Sequence, residues 1–256
     1  MTSSVAPLVH VLSSAHRSGR AAPPSELAPL SVTIAEAYDA QAGIARALGE
    51  RVAGWKTGFG PDSSSVAAPL FGSVMHPSGA RVALPPDRPV ILEIEIAFRL
   101  ARDLPPRPAH PYTQPDIEDA VEVALAGAEL IAARGGMPST GTPFPRFVAD
   151  LQGNAGYVTG STTRSFRALD LRTAQVSLDI DGVRVHDTAG GHPQGDPWAP
   201  LVAWANRQCD RLGGLKAGQV ITTGSVSPPR PIERPCAVHA TIAGVGEVAL
   251  TFVATR

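Results

Sequence analysis

Hydrophobic and polar positions change rhythm near residue 50. Before it the apolar residues recur at helical spacing, which predicts a short helix over about 5–18, a loop at Pro23-Pro24 and a second helix. Thr33-Ile-Ala-Glu36 is a capping box, in which each end residue satisfies a backbone N–H of the other, so the second helix starts there and runs to about Gly49. From 52 to about 100 short apolar runs are broken by Gly and Pro, the pattern of strands and loops. Pro115-Asp116 opens another helical stretch, while the apolar run 121–131 fits a helix or a strand equally. Residues 176–185 alternate around Asp181-Gly182, the signal of a type I′ hairpin. Asp196-Pro197-Trp198 predicts an N-cap, an N1 proline and a helix ending near Gly213-Gly214. The stretch 238–252 alternates around Gly244-Val-Gly246 as a second hairpin. The expectation is an α+β chain: an N-terminal helical segment, 1–50, on a β-rich body, 51–256, within a single domain.

One strand carries chemistry. In Val-Ile-Leu-Glu-Ile-Glu-Ile-Ala-Phe, 90–98, Glu93 and Glu95 stand two apart inside an apolar run. Side chains alternate across a strand, so both carboxylates share a face and Leu92, Ile94 and Ile96 take the other. Two anions held a few ångströms apart in a buried setting are costly unless one is protonated or a cation lies between them. All-oxygen ligation favours magnesium, manganese or calcium over zinc. The alternative is a solvated outer face of an antiparallel sheet.

Charge and composition narrow the partners. The chain has 256 residues, enough for a sizeable core, and 22 basic against 23 acidic residues give a net charge of −1 with no basic stripe for nucleic acid. Cys209 and Cys236 have no zinc or disulfide spacing and read as small buried hydrophobes. No apolar run is long enough to span a membrane, and no Lys or Arg precedes the mildly apolar 5–15 segment, so neither membrane nor leader is expected and the compartment is expected to be the cytoplasm.

Several motifs, in order along the chain, carry a resemblance: Ala37-Tyr38-Asp-Ala-Gln41, Gly54-Trp-Lys56-Thr-Gly58, Glu93-Ile-Glu95, Ala128-Glu129-Leu-Ile, Gly195-Asp196-Pro197, Gly214-Leu-Lys-Ala-Gly218 and Thr222-Thr-Gly224-Ser225. From about residue 15 onward the chain resembles the 2-keto-4-pentenoate hydratase / 4-oxalocrotonate decarboxylase branch of the fumarylacetoacetate hydrolase superfamily. The resemblance implies a mixed β-roll or sandwich of the fumarylacetoacetase C-terminal-domain type, with the site at an open end. It implies Glu93, Glu95 and Glu129 as ligands of one Mg2+ or Mn2+, and Lys56 as a catalytic lysine that pairs with the substrate carboxylate or relays a proton. Thr223, Gly224 and Ser225 resemble the loop that offers a hydroxyl and backbone N–H groups to the substrate. The reaction implied is hydration of a 2-hydroxy-2,4-dienoate, an intermediate type of aromatic-compound catabolism, by a homo-oligomer that could also pair with a related subunit. Decarboxylation of an oxalocrotonate-type dioic acid, acylpyruvate hydrolysis and an inert partner subunit are the alternatives.

Two departures stand out. Leu70, in Pro69-Leu-Phe-Gly72, and Leu151, in Ala149-Asp-Leu-Gln-Gly-Asn154, occupy positions where relatives carry polar groups, so both are expected beside the substrate and to make its distal pocket apolar. His192, in Gly-Gly-His-Pro of a candidate lid loop, reads as a turn residue before a catalytic one, and Asp103 and Arg134 as surface charges before residues lining the site. Thr223-Gly-Ser-Val-Ser227 lacks the second glycine of a nucleophile elbow, and no glycine-rich stretch has nucleotide-loop spacing.

Overall fold

The computed structural model describes residues 5–255; residues 1–4 and 256, where the expected segment and body begin and end, lie outside the described residues. Helices α1 (Val5–Ser18), α2 (Pro24–Leu27) and α3 (Ile34–Leu48) come first. Strands β1 (Val52–Phe59), β2 (Ser65–Phe71), β3 (Met75–Pro77), β4 (Ala80–Ala83) and β5 (Val90–Leu100) follow, then α4 (Gln114–Ala120), β6 (Val121–Ile131), α5 (Phe144–Ala149) and β7 (Asn154–Thr163). The chain continues with β8 (Gln175–Ile180), β9 (Val183–Ala189), α6 (Trp198–Arg207), β10 (Val220–Ser225), β11 (Arg230–Ile232), β12 (Cys236–Ile242) and β13 (Gly246–Val253).

The strands form two sheets, which bears out the β-rich α+β expectation. The larger, eight-stranded sheet runs β2-β1-β10-β5-β6-β7-β3 with β11 beside β5, and curls into a half-barrel; the smaller runs β4-β13-β12-β8-β9. Strand β13 lies against β7 and β6 and ties the sheets together. At that crossing a Cβ on Gly160 would overlap the Glu247 carbonyl oxygen, so only glycine lets the two backbones approach.

Local signals act as read. Thr33 Oγ1 accepts from Glu36 N and the Glu36 carboxylate accepts from Thr33 N, closing the capping box of α3. Asp181 and Gly182 both take positive φ, 52° and 77°, as a type I′ turn requires. The ambiguous run 121–131 is β6, paired along its length with β5 and β7 and buried on both faces, which is why it is apolar without alternation. One expectation fails: α6 ends at Arg207, not near Gly213. Gln208 turns to φ 27° and its amide donates to the Leu104 and Ala205 carbonyls, while Asp210 accepts from the backbone of Leu212 and Gly214. These side chains build a turn where the helical pattern would have continued.

The helices cover the outside of the larger sheet. Helix α3 lies against α1, α5 and β2, and α6 against β1, β10 and β2. Trp55 and Trp204 meet at 6.1 Å between ring centroids, and Trp55 Nε1 donates to Gly214 O at 3.1 Å. With Tyr38 packed on Trp204, this aromatic wedge fixes the outer face of β1 and turns Lys56, the next residue, inward.

Candidate metal and substrate site

Four strands aim the site. On β5, Glu93 and Glu95 share the inner face; on β6, Glu129 stands directly opposite Glu93 in the antiparallel register. Lys56 on β1 is level with Thr222 on the parallel strand β10. Carboxylate oxygens of Glu93, Glu95 and Glu129 all lie within 4.8 Å of one another, and Lys56 Nζ is 2.9 Å from Glu129 Oε2. A Cβ on Gly54 would overlap the Val220 carbonyl, and one on Gly127 would overlap the Tyr157 hydroxyl. The two glycines therefore let β1 close on β10 and let the Tyr157 ring slide beneath the carboxylates.

The electrostatics are unbalanced. Lys56 is 13% exposed and Glu129 fully buried, so three carboxylates share one ammonium away from bulk water. Burial, then the charges of Glu129 and Glu93, pushes the Glu95 carboxyl well above the usual range. Burial also raises Glu93, with Lys56 opposing and Glu129 reinforcing. Burial alone would lower Lys56, yet Glu129, Glu93 and Glu95 together hold its ammonium above its ordinary value. Glu95 Oε2 has no hydrogen-bond partner among the described residues. An excess of buried oxygen donors converging on one point suits a hard divalent cation.

Residues to which the sequence assigns no part in the site complete the frame. Asn154 Nδ2 donates to Glu129 Oε1 at 3.1 Å and orients it, and the Arg134 guanidinium in turn donates to Asn154 O at 2.6 Å. Arg134, expected on the surface, is instead buried against Asp150. Asp103 is at the surface as expected, paired with Lys216. The Thr222 hydroxyl lies against Glu95 without a well-formed hydrogen bond. Nothing in local sequence marks Asn154, and Thr222 comes level with Lys56 only through the pairing of β1 with β10.

A cavity of about 680 Å3 opens above the carboxylates, with Lys56, Glu93, Glu95, Thr223, Gly224 and Ser225 in its wall. The loop hydroxyls, however, turn away from it. Thr223 Oγ1 donates to Ile96 O and Ser225 Oγ donates to the Ile94 and Ser227 carbonyls. The register shift between Thr222 and Ser225 causes this, because the bulge rotates the strand and leaves Gly224, at φ 118°, facing the cavity. His192 braces the bulge: Nδ1 accepts from Gln194 N, which leaves Nε2–H to donate to Thr223 O at 2.8 Å.

Leu70 and Leu151 do not line this cavity. Leu70 is fully buried with Ala97, Leu125, Tyr157 and Val220, because the register sets it opposite Gly54, whose missing side chain admits it. Leu151 is buried beside His16, Arg134 and Asn154. The apolar part of the wall comes from Phe59, Pro193, Val226, Pro228 and Pro229 instead, with His186, Thr188 and Gln194 at the mouth.

No family model matches the chain. It is 31% identical over 214 residues to a 2-keto-4-pentenoate hydratase of Burkholderia vietnamiensis, covering 80% of this chain and 79% of the relative. It is 30% identical over 245 residues to a 2-oxo-hept-4-ene-1,7-dioate hydratase of Escherichia coli, covering 87% and 88%. Among solved structures it superposes on 4-oxalocrotonate decarboxylase from Pseudomonas putida G7, complexed with magnesium and adipate, with TM-score 0.82 and 22% identity over 99% of this chain and 98% of that one.

Proposed function

The chain belongs to the 2-keto-4-pentenoate hydratase / 4-oxalocrotonate decarboxylase branch of the fumarylacetoacetate hydrolase superfamily, and on that premise we propose that it is a divalent-metal-dependent hydro-lyase that converts a 2-hydroxy-2,4-dienoate to a 4-hydroxy-2-oxo acid. The observation that carries the reading is the convergence of Glu93, Glu95 and Glu129 on one point with Lys56 as the one Lys or Arg in the cavity wall among the described residues. A bound Mg2+ or Mn2+ supplies Lewis-acid polarisation of a chelating 2-oxo acid.

The chain's own groups divide the remaining work. Asn154 holds Glu129 in place, and Glu129 in turn steers Lys56. The Lys56 ammonium has three donors, of which Glu129 engages one, so it can bind a substrate oxygen and carry the proton that ketonisation of the dienol requires. The wall of Phe59, Val226 and the prolines excludes bulk water from the diene, and the polar mouth admits the molecule that adds at C4.

The wall also favours a monocarboxylate. Among the described residues Lys56 is its only Lys or Arg, and burial together with Arg230 lowers the His186 ring, which keeps it neutral at pH 7. A second substrate carboxylate would meet no Lys or Arg of the described wall other than Lys56, and Arg230, behind His186, is engaged by the Val185 carbonyl. The activity is expected as decay of dienoate absorbance that stops on chelation and returns with Mg2+ or Mn2+. Release of carbon dioxide from oxalocrotonate without dienoate hydration would replace hydration by decarboxylation. The branch is expected to assemble as homo-oligomers, which sedimentation of the purified chain tests.

A further inference from the structure

The segment between α5 and β7 holds a conformation that its sequence resists. Leu151 and Gln152 take φ 56° and 51°, and Gly153 follows at 71°, three left-handed residues in a row of which only the last is glycine. Such backbone costs of order 1–3 kcal/mol per residue and persists only where surrounding contacts over-determine it. Here both flanks are clamped. Asp150, fully buried, accepts from Arg134 N, Gly135 N and Arg134 Nη1 at 2.5, 2.7 and 3.3 Å, and Asn154 is held by its hydrogen bonds to Glu129 and from Arg134.

The consequence of the strain is the placement of one side chain. Gln152 lies in the cavity wall, 5% exposed, and its Nε2 is buried without a hydrogen-bond partner among the described residues. A buried amide donor left unpaired is a cost that a core leucine or alanine would avoid. It stands two residues before Asn154, whose amide touches Glu129, and shares the cavity wall with Lys56, Glu93 and Glu95.

We infer that Gln152 is a substrate-binding residue, whose amide donates a hydrogen bond to an oxygen of the 2-oxo acid head group. This rests on the reading of the cavity as a 2-oxo acid site. Substrate would supply the missing acceptor, and the strained turn would be retained because it aims the donor.

Gln152→Gly and Gln152→Leu separate function from structure. Glycine relieves the left-handed backbone, so a purely structural role predicts a Tm equal or higher and unchanged chemistry. With metal-loaded protein, calorimetric titration with pyruvate is expected to give a Kd about tenfold weaker in both variants, with Gln152→Gly at least as thermostable as the parent. The kcat/KM for 2-hydroxypenta-2,4-dienoate is expected to fall about tenfold as well. Pyruvate affinity within about twofold of the parent in both variants overturns the assignment, as does a parent that binds no pyruvate. A parent that binds pyruvate in a Gln152-dependent way but hydrates no dienoate leaves the assignment standing and overturns hydration.

Discussion

Lys56 Nζ lies 2.9 Å from Glu129 Oε2 on a strand that reaches β6 only through β10 and β5. Two residues far apart in sequence are thus joined across the hollow of the curled sheet, with Lys56 in the cavity wall and Glu129 fully buried behind it. Truncating Lys56 leaves three buried carboxylates uncompensated. Lys56→Met is expected to lower the metal-free protein's stability by about 3 kcal/mol and to cut kcat by at least about 100-fold. Adding Mg2+ should recover stability but not turnover. Urea melts with and without Mg2+ check this; a variant as stable as the parent without metal contradicts it.

The glycine at 127 is fixed by the ring beneath the carboxylates. A Cβ there overlaps the Tyr157 hydroxyl, which is itself buried and unpartnered among the described residues. Gly127→Ala is expected to destabilise by about 1–3 kcal/mol, the usual range for overpacking. Pairing it with Tyr157→Phe removes the overlapping oxygen and should recover part of the loss. Equal stability of Gly127→Ala and parent in denaturant melts would show that the floor is not packed as described.

Much of this arrangement is legible in the sequence, for identifiable reasons. Capping of α3 by Thr33 and Glu36 and the Asp181-Gly182 hairpin depend on neighbours a few residues apart, so sequence reports them directly. Alternation puts Glu93 and Glu95 on one face. Glu129 enters only through family resemblance, because β6 is apolar on both faces and its partner strand is set by tertiary pairing. The inward turn of Thr222, the outward hydroxyls of Thr223 and Ser225, and the burial of Leu70 follow from a bulge and a register, neither of which leaves a local mark.

Acid sensitivity should concentrate at His16. Burial, reinforced by Arg134 and Arg88, lowers its ring to about 2. Below the unfolded value of about 6.5 the unfolded chain takes up a proton that the folded chain refuses, so stability is intact above pH 6.5 and falls toward pH 2. Between pH 7 and pH 5 this contributes a loss of about 2 kcal/mol. His16→Gln is expected to lose that much less than the parent across the same interval, measured by urea midpoints. Equal losses would place the acid sensitivity elsewhere.

Substrate choice should follow the charge of the wall. With Lys56 as its only Lys or Arg among the described residues, the cavity is expected to give a kcat/KM at least about tenfold higher for 2-hydroxypenta-2,4-dienoate or a longer alkyl homologue than for oxalocrotonate. Thr188→Arg, which adds a cation at the mouth, should narrow the ratio. A parent that prefers the dicarboxylate contradicts the argument.

The claim on which the rest depends is that Glu93, Glu95 and Glu129 form one cation site. Titration of Mn2+ into the purified chain, followed by electron paramagnetic resonance, tests it directly. The parent is expected to bind one Mn2+ per chain, and Glu93→Gln, Glu95→Gln and Glu129→Gln each to lose or severely weaken that site with far-ultraviolet circular dichroism unchanged. Undiminished binding in all three folded variants, or none in the parent, would contradict the account.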